Sequence, residues 1–202
     1  MGRTSDARER ILEAGARLFG QRAYSAIGVS EICTEAGVPK GSFYYFFPSK
    51  QALVLAVVDE HWVQQRHDWT TILDTPEPLI DRLRALFEAT AQVQRDALVG
   101  TGSVTGCIFG NLALEVSGQD DPVRTRVQEI FDEQIDLIED TIRGAAGEGT
   151  STIAGNPRTT AKAIVAQLEG LVLFAKLFND PTQLDQLWQN SLSLLHLEEP
   201  VG

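Results

Sequence analysis

Lys40, Gly41 and Ser42 stand side by side just after Gly37-Val38-Pro39, and Tyr44, Tyr45 and Lys50 follow closely. The chemistry open to such a set is recognition of a polyanion. Ammonium groups neutralise phosphates, hydroxyls donate to phosphate oxygens, and small residues let a backbone approach base edges. Nothing in the chain offers a comparable set for catalysis. The sequence has no GxSxG, GxGxxG, HExxH or phosphate-loop pattern. Cys33 and Cys107 lie far apart without metal-ligand spacing, and His61, His67 and His196 are scattered. No enzymatic activity, metal or cofactor is expected.

The elements that must position these residues read as helix, turn, helix. A short helix is expected over Val29 to Ala36, with Val29, Ile32, Cys33 and Ala36 on one face. Gly37 ends it, because a left-handed residue after a helix favours glycine. Pro39 opens a second short helix to Phe46, where its missing N–H is harmless. Phe43 and Phe47, four apart, mark the buried face of that helix, which leaves the basic and hydroxylated residues on the other side. A helix pair of this shape carries its second member into the major groove. Lys50 then begins the next helix, where its charge and the helix amides can both meet phosphate.

The rest of the chain is expected to be helical too, with apolar residues recurring at helical spacing. A first helix spans Ser5 to Gln21, capped by Thr4 or Ser5, with Ile11, Ala14, Gly15, Leu18 and Phe19 as its stripe. A long helix runs from Lys50 to Leu73. Others run from after the break at Thr75-Pro76-Glu77-Pro78 to Ala97, from Cys107 to Val116, from Asp121 to a loop at 144–156, from Pro157 to Phe178 and from Pro181 to Leu197. Glycines make 100–106 a loop.

Charge divides the same way. Residues 1–50 hold seven Lys and Arg against five acids, whereas the remainder holds ten against twenty-three, within a net charge of -11. Only the N-terminal segment has the sign that suits phosphate, and the acidic body would be repelled from it. No signal peptide or membrane span is visible, so a cytoplasmic protein is expected.

The run Glu31-Ile32-Cys33-Thr34-Glu35-Ala36-Gly37-Val38-Pro39-Lys40-Gly41-Ser42-Phe43-Tyr44-Tyr45-Phe46-Phe47-Pro48-Ser49-Lys50 closely resembles the DNA-binding signature of TetR-family (AcrR-like) regulators. Ala14, Leu18, Phe19 and Tyr24 also fit. The resemblance implies an all-α, nine-helix fold, with a helix-turn-helix domain at 1–48 and a ligand-binding and dimerisation domain at 49–202. It implies a homodimeric repressor on a palindromic operator. Lys40, Gly41 and Ser42 would face bases or nearby phosphates, and Tyr44, Tyr45 and Lys50 would clamp the backbone. Two positions depart from the family pattern. Gly28 replaces a Ser or Thr that caps the second helix, and Phe46 replaces a His or Tyr. The alternatives are an interaction protein with a degenerate helix-turn-helix, and a non-covalent ligand sensor acting as an activator.

The stretch Gly106-Cys107-Ile108-Phe109-Gly110-Asn111-Leu112-Ala113-Leu114-Glu115 is similar to the sixth helix of a subgroup whose members respond to electrophiles and unsaturated carbonyl compounds. Cys107 would be the sensor. A helix start lowers a thiol's pKa, and Lys176 is a candidate cation for the same purpose. The other reading is a non-covalent effector held by Trp62, Phe87, Phe109, Asn111, Phe131 and Phe174, since such pockets are mostly apolar with few polar groups. For dimerisation, Leu184, Leu187, Trp188, Ser191, Leu192 and Leu195 form one stripe and Leu168, Leu171 and Val172 another, with Gly170 permitting close approach.

Overall fold

Gly15 lies where the first helix meets the fourth, and a Cβ there would sit 3.1 Å from Leu53 Cδ2 and 3.3 Å from Val57 Cγ2. That close crossing anchors the N-terminal part of the fold. A computed structural model describes the backbone of residues 2–116, 120–147 and 155–195, and the side chains of 6–116, 120–145 and 155–192. Among the described residues the chain is all-helical. Its elements are α1 (Gly2–Gln21), a 3-10 turn (Tyr24–Ala26), α2 (Val29–Glu35), α3 (Lys40–Phe46), α4 (Lys50–Leu73), α5 (Leu79–Thr101), α6 (Ile108–Val116), α7 (Asp121–Gly147), α8 (Pro157–Phe178), a second 3-10 turn (Pro181–Gln186) and α9 (Leu187–Leu195).

Where boundaries differ from the expectation, a local bond decides. α1 begins at Gly2, so Thr4 and Ser5 lie within it rather than before it. α5 continues through Gly100 and closes at left-handed Gly102, whose N–H donates to Leu98 O at 2.9 Å. α7 runs past Gly144 to Gly147, and 148–154 of the expected loop fall outside the described residues. The expected ninth helix is divided. Asp180 accepts the Thr182 amide at 3.0 Å and starts a 3-10 turn, and the α-helix begins only at Leu187. Residues 196 and 197 of that expected helix are outside the described residues. α8 has the expected ends. Asn156 caps it by accepting from Thr159 N, Pro157 follows, and left-handed Asn179 closes it.

The chain forms two compact units. The first contains Met1–Gln64 and Cys107–Glu129. Its core joins Ile11, Phe19, Ile32, Phe43, Leu53, Trp62, Phe109 and Leu112, all buried. The second contains Gln65–Gly106 and Ile130–Gly202. Here α8 and α5 pack with the second 3-10 turn and α9. Asn179 ties its own helix end to the end of α5, because Oδ1 accepts Val104 N at 2.8 Å and Nδ2 donates to Gly102 O at 3.3 Å.

The stripes expected to meet a second subunit are reassigned by burial. Leu168, Leu184, Leu187 and Leu192 are inside the second unit's own core. Leu171 and Trp188 are half-buried, and the Leu195 side chain lies outside the described residues. Helical spacing marks a buried face without saying which surface covers it. Among the described residues, α8 leaves four large apolar side chains exposed: Leu173, Phe174, Leu177 and Phe178.

Candidate nucleic-acid interface

The turn between α2 and α3 is built by its backbone. Gly37 adopts φ +62°, donates to Thr34 O at 3.1 Å, and is followed by Val38, whose N–H reaches back to Cys33 O at 3.0 Å. This pair of bonds satisfies the last carbonyls of α2 and needs a left-handed residue at position 37. Val38 is buried beneath the turn. Pro39 stands before α3 in extended conformation and so turns the chain into it.

α3 has two faces. Phe43 and Phe47 are buried, with ring centroids 6.0 Å apart. Lys40, Gly41, Tyr44 and Tyr45 are exposed and Ser42 is half-buried. A Cβ added at Gly41 would meet nothing within 4 Å, so no packing inside the chain calls for a glycine there. Cys33 is buried, as expected, and burial raises its pKa against the opposing pull of Lys40.

The cations of this region are mostly occupied. Arg17 pairs with Glu35 at 2.9 Å, Arg22 with Glu31, Arg8 with Glu60 at 3.5 Å, and Arg10 with Asp6 at 3.7 Å. Among the described side chains of residues 6–50, Lys40 is the cation that makes no ion pair or hydrogen bond within the chain.

Lys50, also expected at the DNA backbone, is engaged within the chain. Its ammonium donates to Tyr24 O at 2.8 Å and Ile27 O at 2.9 Å, and lies 4.2 Å from the centroid of the Tyr24 ring. Desolvation lowers its pKa, with Glu115 and Asp120 pulling the other way. Two of its three donors therefore hold the segment between α1 and α2. Position 50 looked available for phosphate because the sequence does not reveal how the 3-10 turn folds back over it.

The same turn is held from the far side by residues that sequence reasoning missed. Glu115, near the end of α6, accepts Tyr24 N at 3.0 Å, Ser25 N at 3.1 Å and Ser25 Oγ at 3.2 Å. Asp120 accepts the Tyr24 hydroxyl at 3.3 Å and Gln51 Nε2 at 2.8 Å. Burial, then the charge and hydrogen bond of Asp120, push the Tyr24 phenol up to about 12. The helix-turn-helix is thus tied through one short turn to α4, α6 and the start of α7.

The expected effector residues are dispersed. In the first unit, Trp62 is buried against the Phe109 ring at 6.2 Å, and Cys107, just before α6, and Asn111 within it lie half-buried one turn apart. Cys107 Sγ accepts Gly110 N at 3.5 Å, so the thiol occupies a cap position. In the second unit, Phe87 is a core residue 6.4 Å from the Trp188 ring, Phe131 is half-buried, and Lys176 lies in the last turn of α8, where a cation complements the helix carbonyls. Phe174 is 47% exposed and belongs to the uncovered face of α8, not to an interior. Sequence reasoning also passed over Gln134, a buried amide on the apolar face of α7.

Two family models match the chain. Residues 11–57 match bacterial regulatory proteins of the tetR family, and residues 80–190 match the tetracyclin repressor-like C-terminal domain. The chain is 32% identical over 189 residues to the HTH-type transcriptional repressor DhaR of Mycobacterium sp. (strain GP1), covering 92% of this chain and 90% of that protein. It is 29% identical to the repressor NemR of Escherichia coli (strain K12), over 85% of each. The crystal structure of the reduced form of E. coli NemR superposes with a TM-score of 0.82 at 27% identity, covering 94% of this chain and 98% of that one. A TetR regulatory protein from Rhodobacter sphaeroides gives 0.82 at 26%, covering 92% and 96%. With the helix-turn-helix and the helical body each matched in its own right, the chain belongs to the TetR family and is a DNA-binding transcriptional regulator.

Proposed function

We propose that this protein is a cytoplasmic homodimeric repressor that reads a palindromic operator through α3 and is released by a small-molecule effector. Residues 1–48 are the DNA-reading part and 49–202 the effector and dimerisation part. The observation that carries the reading is the outer face of α3. Lys40, left without an acidic partner, stands with Gly41, Ser42, Tyr44 and Tyr45 opposite the buried Phe43 and Phe47. Lys40 meets phosphate or a base edge, the tyrosine hydroxyls hold the backbone, and Gly41 leaves room for the duplex. Lys50 acts indirectly, by holding the turn before α2. Fluorescence anisotropy with the DNA upstream of the gene tests this. Lys40→Ala should weaken binding and lower the salt slope, and unchanged affinity would refute the assignment.

The uncovered face of α8 supports dimerisation. Leu173, Phe174, Leu177 and Phe178 form a contiguous apolar surface, with Phe174 and Phe178 rings 6.1 Å apart. Monomers rarely leave such a face to water.

For release, a second reading concerns Cys107. The Gly110 amide is directed at its sulfur, at the start of α6. Electrophile treatment should abolish operator binding in the wild type and spare Cys107→Ser. If the variant is equally sensitive, Cys107 is not the sensor.

A further inference from the structure

Within the second unit, Ile130, Gln134 and Ile138 recur every four residues along α7 and all three side chains are buried. Gln134 is 1% exposed, and neither its Oε1 nor its Nε2 has a hydrogen-bond partner in the protein. Several other buried polar groups of this unit are provided for by the chain, although Trp188 Nε1 is not. Gln94 accepts Gly106 N at 3.0 Å and donates to Gly106 O at 3.4 Å. Thr141 donates to Leu137 O at 2.8 Å. Glu139 is bonded by Arg143 and Arg158, which hold its carboxyl below the usual range. Where single atoms are unpaired, as in Arg82 and Gln167, the same side chain bonds elsewhere, to Leu73 O and Ser191 Oγ. Among the described residues, Gln134 is the side chain whose donor and acceptor are both buried and both unsatisfied.

A second unsatisfied atom lies on the neighbouring helix. The Arg66–Glu133 ion pair, at 3.9 Å, brings α4 alongside α7 at these positions. The adjoining residue of α4 is Gln65, three and four residues from the buried faces of its helix marked by Trp62 and Trp69, and its Oε1 is buried without a partner. An amide buried this way is unfavourable unless something else completes its bonds.

We propose that Gln134, assisted by Gln65, is the polar recognition element of the effector site, and that it takes an uncharged carboxamide-type group on an otherwise apolar molecule. This rests on the reading that residues 49–202 bind a small-molecule effector. The donor set fixes the chemistry. Two acceptors, Gln134 Oε1 and Gln65 Oε1, call for two N–H donors, and Gln134 Nε2 calls for one carbonyl. A primary carboxamide carries both. An ion is disfavoured, because Glu133 is paired with Arg66, the buried Glu139 is already balanced by two arginines, and the neighbours Ile130, Ile135 and Ile138 are apolar.

Calorimetric titration of the full-length protein with benzamide, acetophenone and benzoate, without DNA, tests the proposal. Benzamide should bind saturably at millimolar concentration, acetophenone at least about tenfold more weakly and benzoate not measurably, since a site built to bond a group rejects analogues lacking it. Gln134→Leu should abolish the preference for benzamide over acetophenone, and should raise the unliganded melting temperature because an unsatisfied amide has been removed. Gln65→Met should weaken benzamide with a smaller effect on acetophenone. The proposal is overturned if benzamide fails to bind the wild type, if the preference survives in Gln134→Leu, or if that variant melts lower than wild type, which would make Gln134 a structural residue completed by internal water. Binding is read without an operator, so failure here leaves DNA recognition by α3 intact. Loss of operator binding in Lys40→Ala likewise leaves this result unchanged.

Discussion

The Glu115 carboxylate accepts the backbone amide of Tyr24 at 3.0 Å across 91 residues of sequence, and its second oxygen takes the amide and hydroxyl of Ser25. One side chain of α6 therefore positions the turn from which α2 and α3 depart. Charge-assisted bonds of this kind are about twice as strong as neutral ones. Glu115→Ala should lower stability by about 1–2 kcal/mol. It should also speed amide hydrogen exchange at Tyr24 and Ser25. Glu115→Gln, which keeps one acceptor, should fall between. Unchanged exchange at both amides would mean that the carboxylate does not hold the turn.

Tyr24 itself predicts an alkaline signature. Its phenol has an ordinary value of 10.0 and is pushed up to about 12 in the folded chain. Below pH 10 it is neutral in both folded and unfolded states and adds no pH dependence. Between pH 10 and 12 the unfolded chain releases the proton while the folded chain keeps it, so stability falls as pH rises. Denaturant titrations of wild type and Tyr24→Phe should run parallel up to pH 10 and converge or cross above it. A constant difference from pH 8 to 12 would contradict this.

Lys50 and Lys40 should separate cleanly. Lys50 Nζ is bonded to two carbonyl oxygens of the chain. Lys50→Met should cost about 1.5–3 kcal/mol of stability, the range for hydrogen bonds to charged groups. Its slope of log affinity against log salt should stay that of wild type. Lys40→Ala should leave the melting temperature nearly unchanged and reduce the salt slope by about one per subunit. The reverse pattern would return Lys50 to the DNA backbone.

Gly41 is exposed within a helix and faces open space. Replacing it by alanine should stabilise the free protein by up to about 1 kcal/mol, the usual helix-interior difference. The same methyl should weaken operator binding, because it stands where the duplex approaches. If Gly41→Ala binds operator as tightly as wild type, α3 does not enter the groove through this face.

These assignments divide by how far each signal travels along the chain. The turn at Gly37 was legible because its bonds, Gly37 N to Thr34 O and Val38 N to Cys33 O, are local. Phe43 and Phe47 were legible because a spacing of four states which side of α3 is buried. The start of α8 was legible from Pro157, although the cap at Asn156 was not read. The role of Glu115 was not, since its partners lie 90 and 91 residues away and no short-range pattern records them. Lys50 misled for the same reason. Gln134 was passed over, because whether a buried amide is satisfied depends on neighbours from other helices.

The leucines of α8 and α9 carry the sharpest test of the surface. Leu187 and Leu177 both belong to apolar stripes, yet Leu187 is 1% exposed and Leu177 is 69% exposed. Leu187→Glu places a charge in the core of the second unit, so it should unfold the protein or cost several kcal/mol. Leu177→Glu meets water in the isolated chain, and its helical circular dichroism should match wild type. If the exposed face of α8 joins two subunits, the paired substitution places like charges within an apolar contact. Sedimentation should then find Leu177→Glu monomeric where the wild type is dimeric, with operator affinity reduced because two half-sites are no longer bound together. A Leu177→Glu protein that sediments as the wild-type dimer would assign this face to something other than self-association.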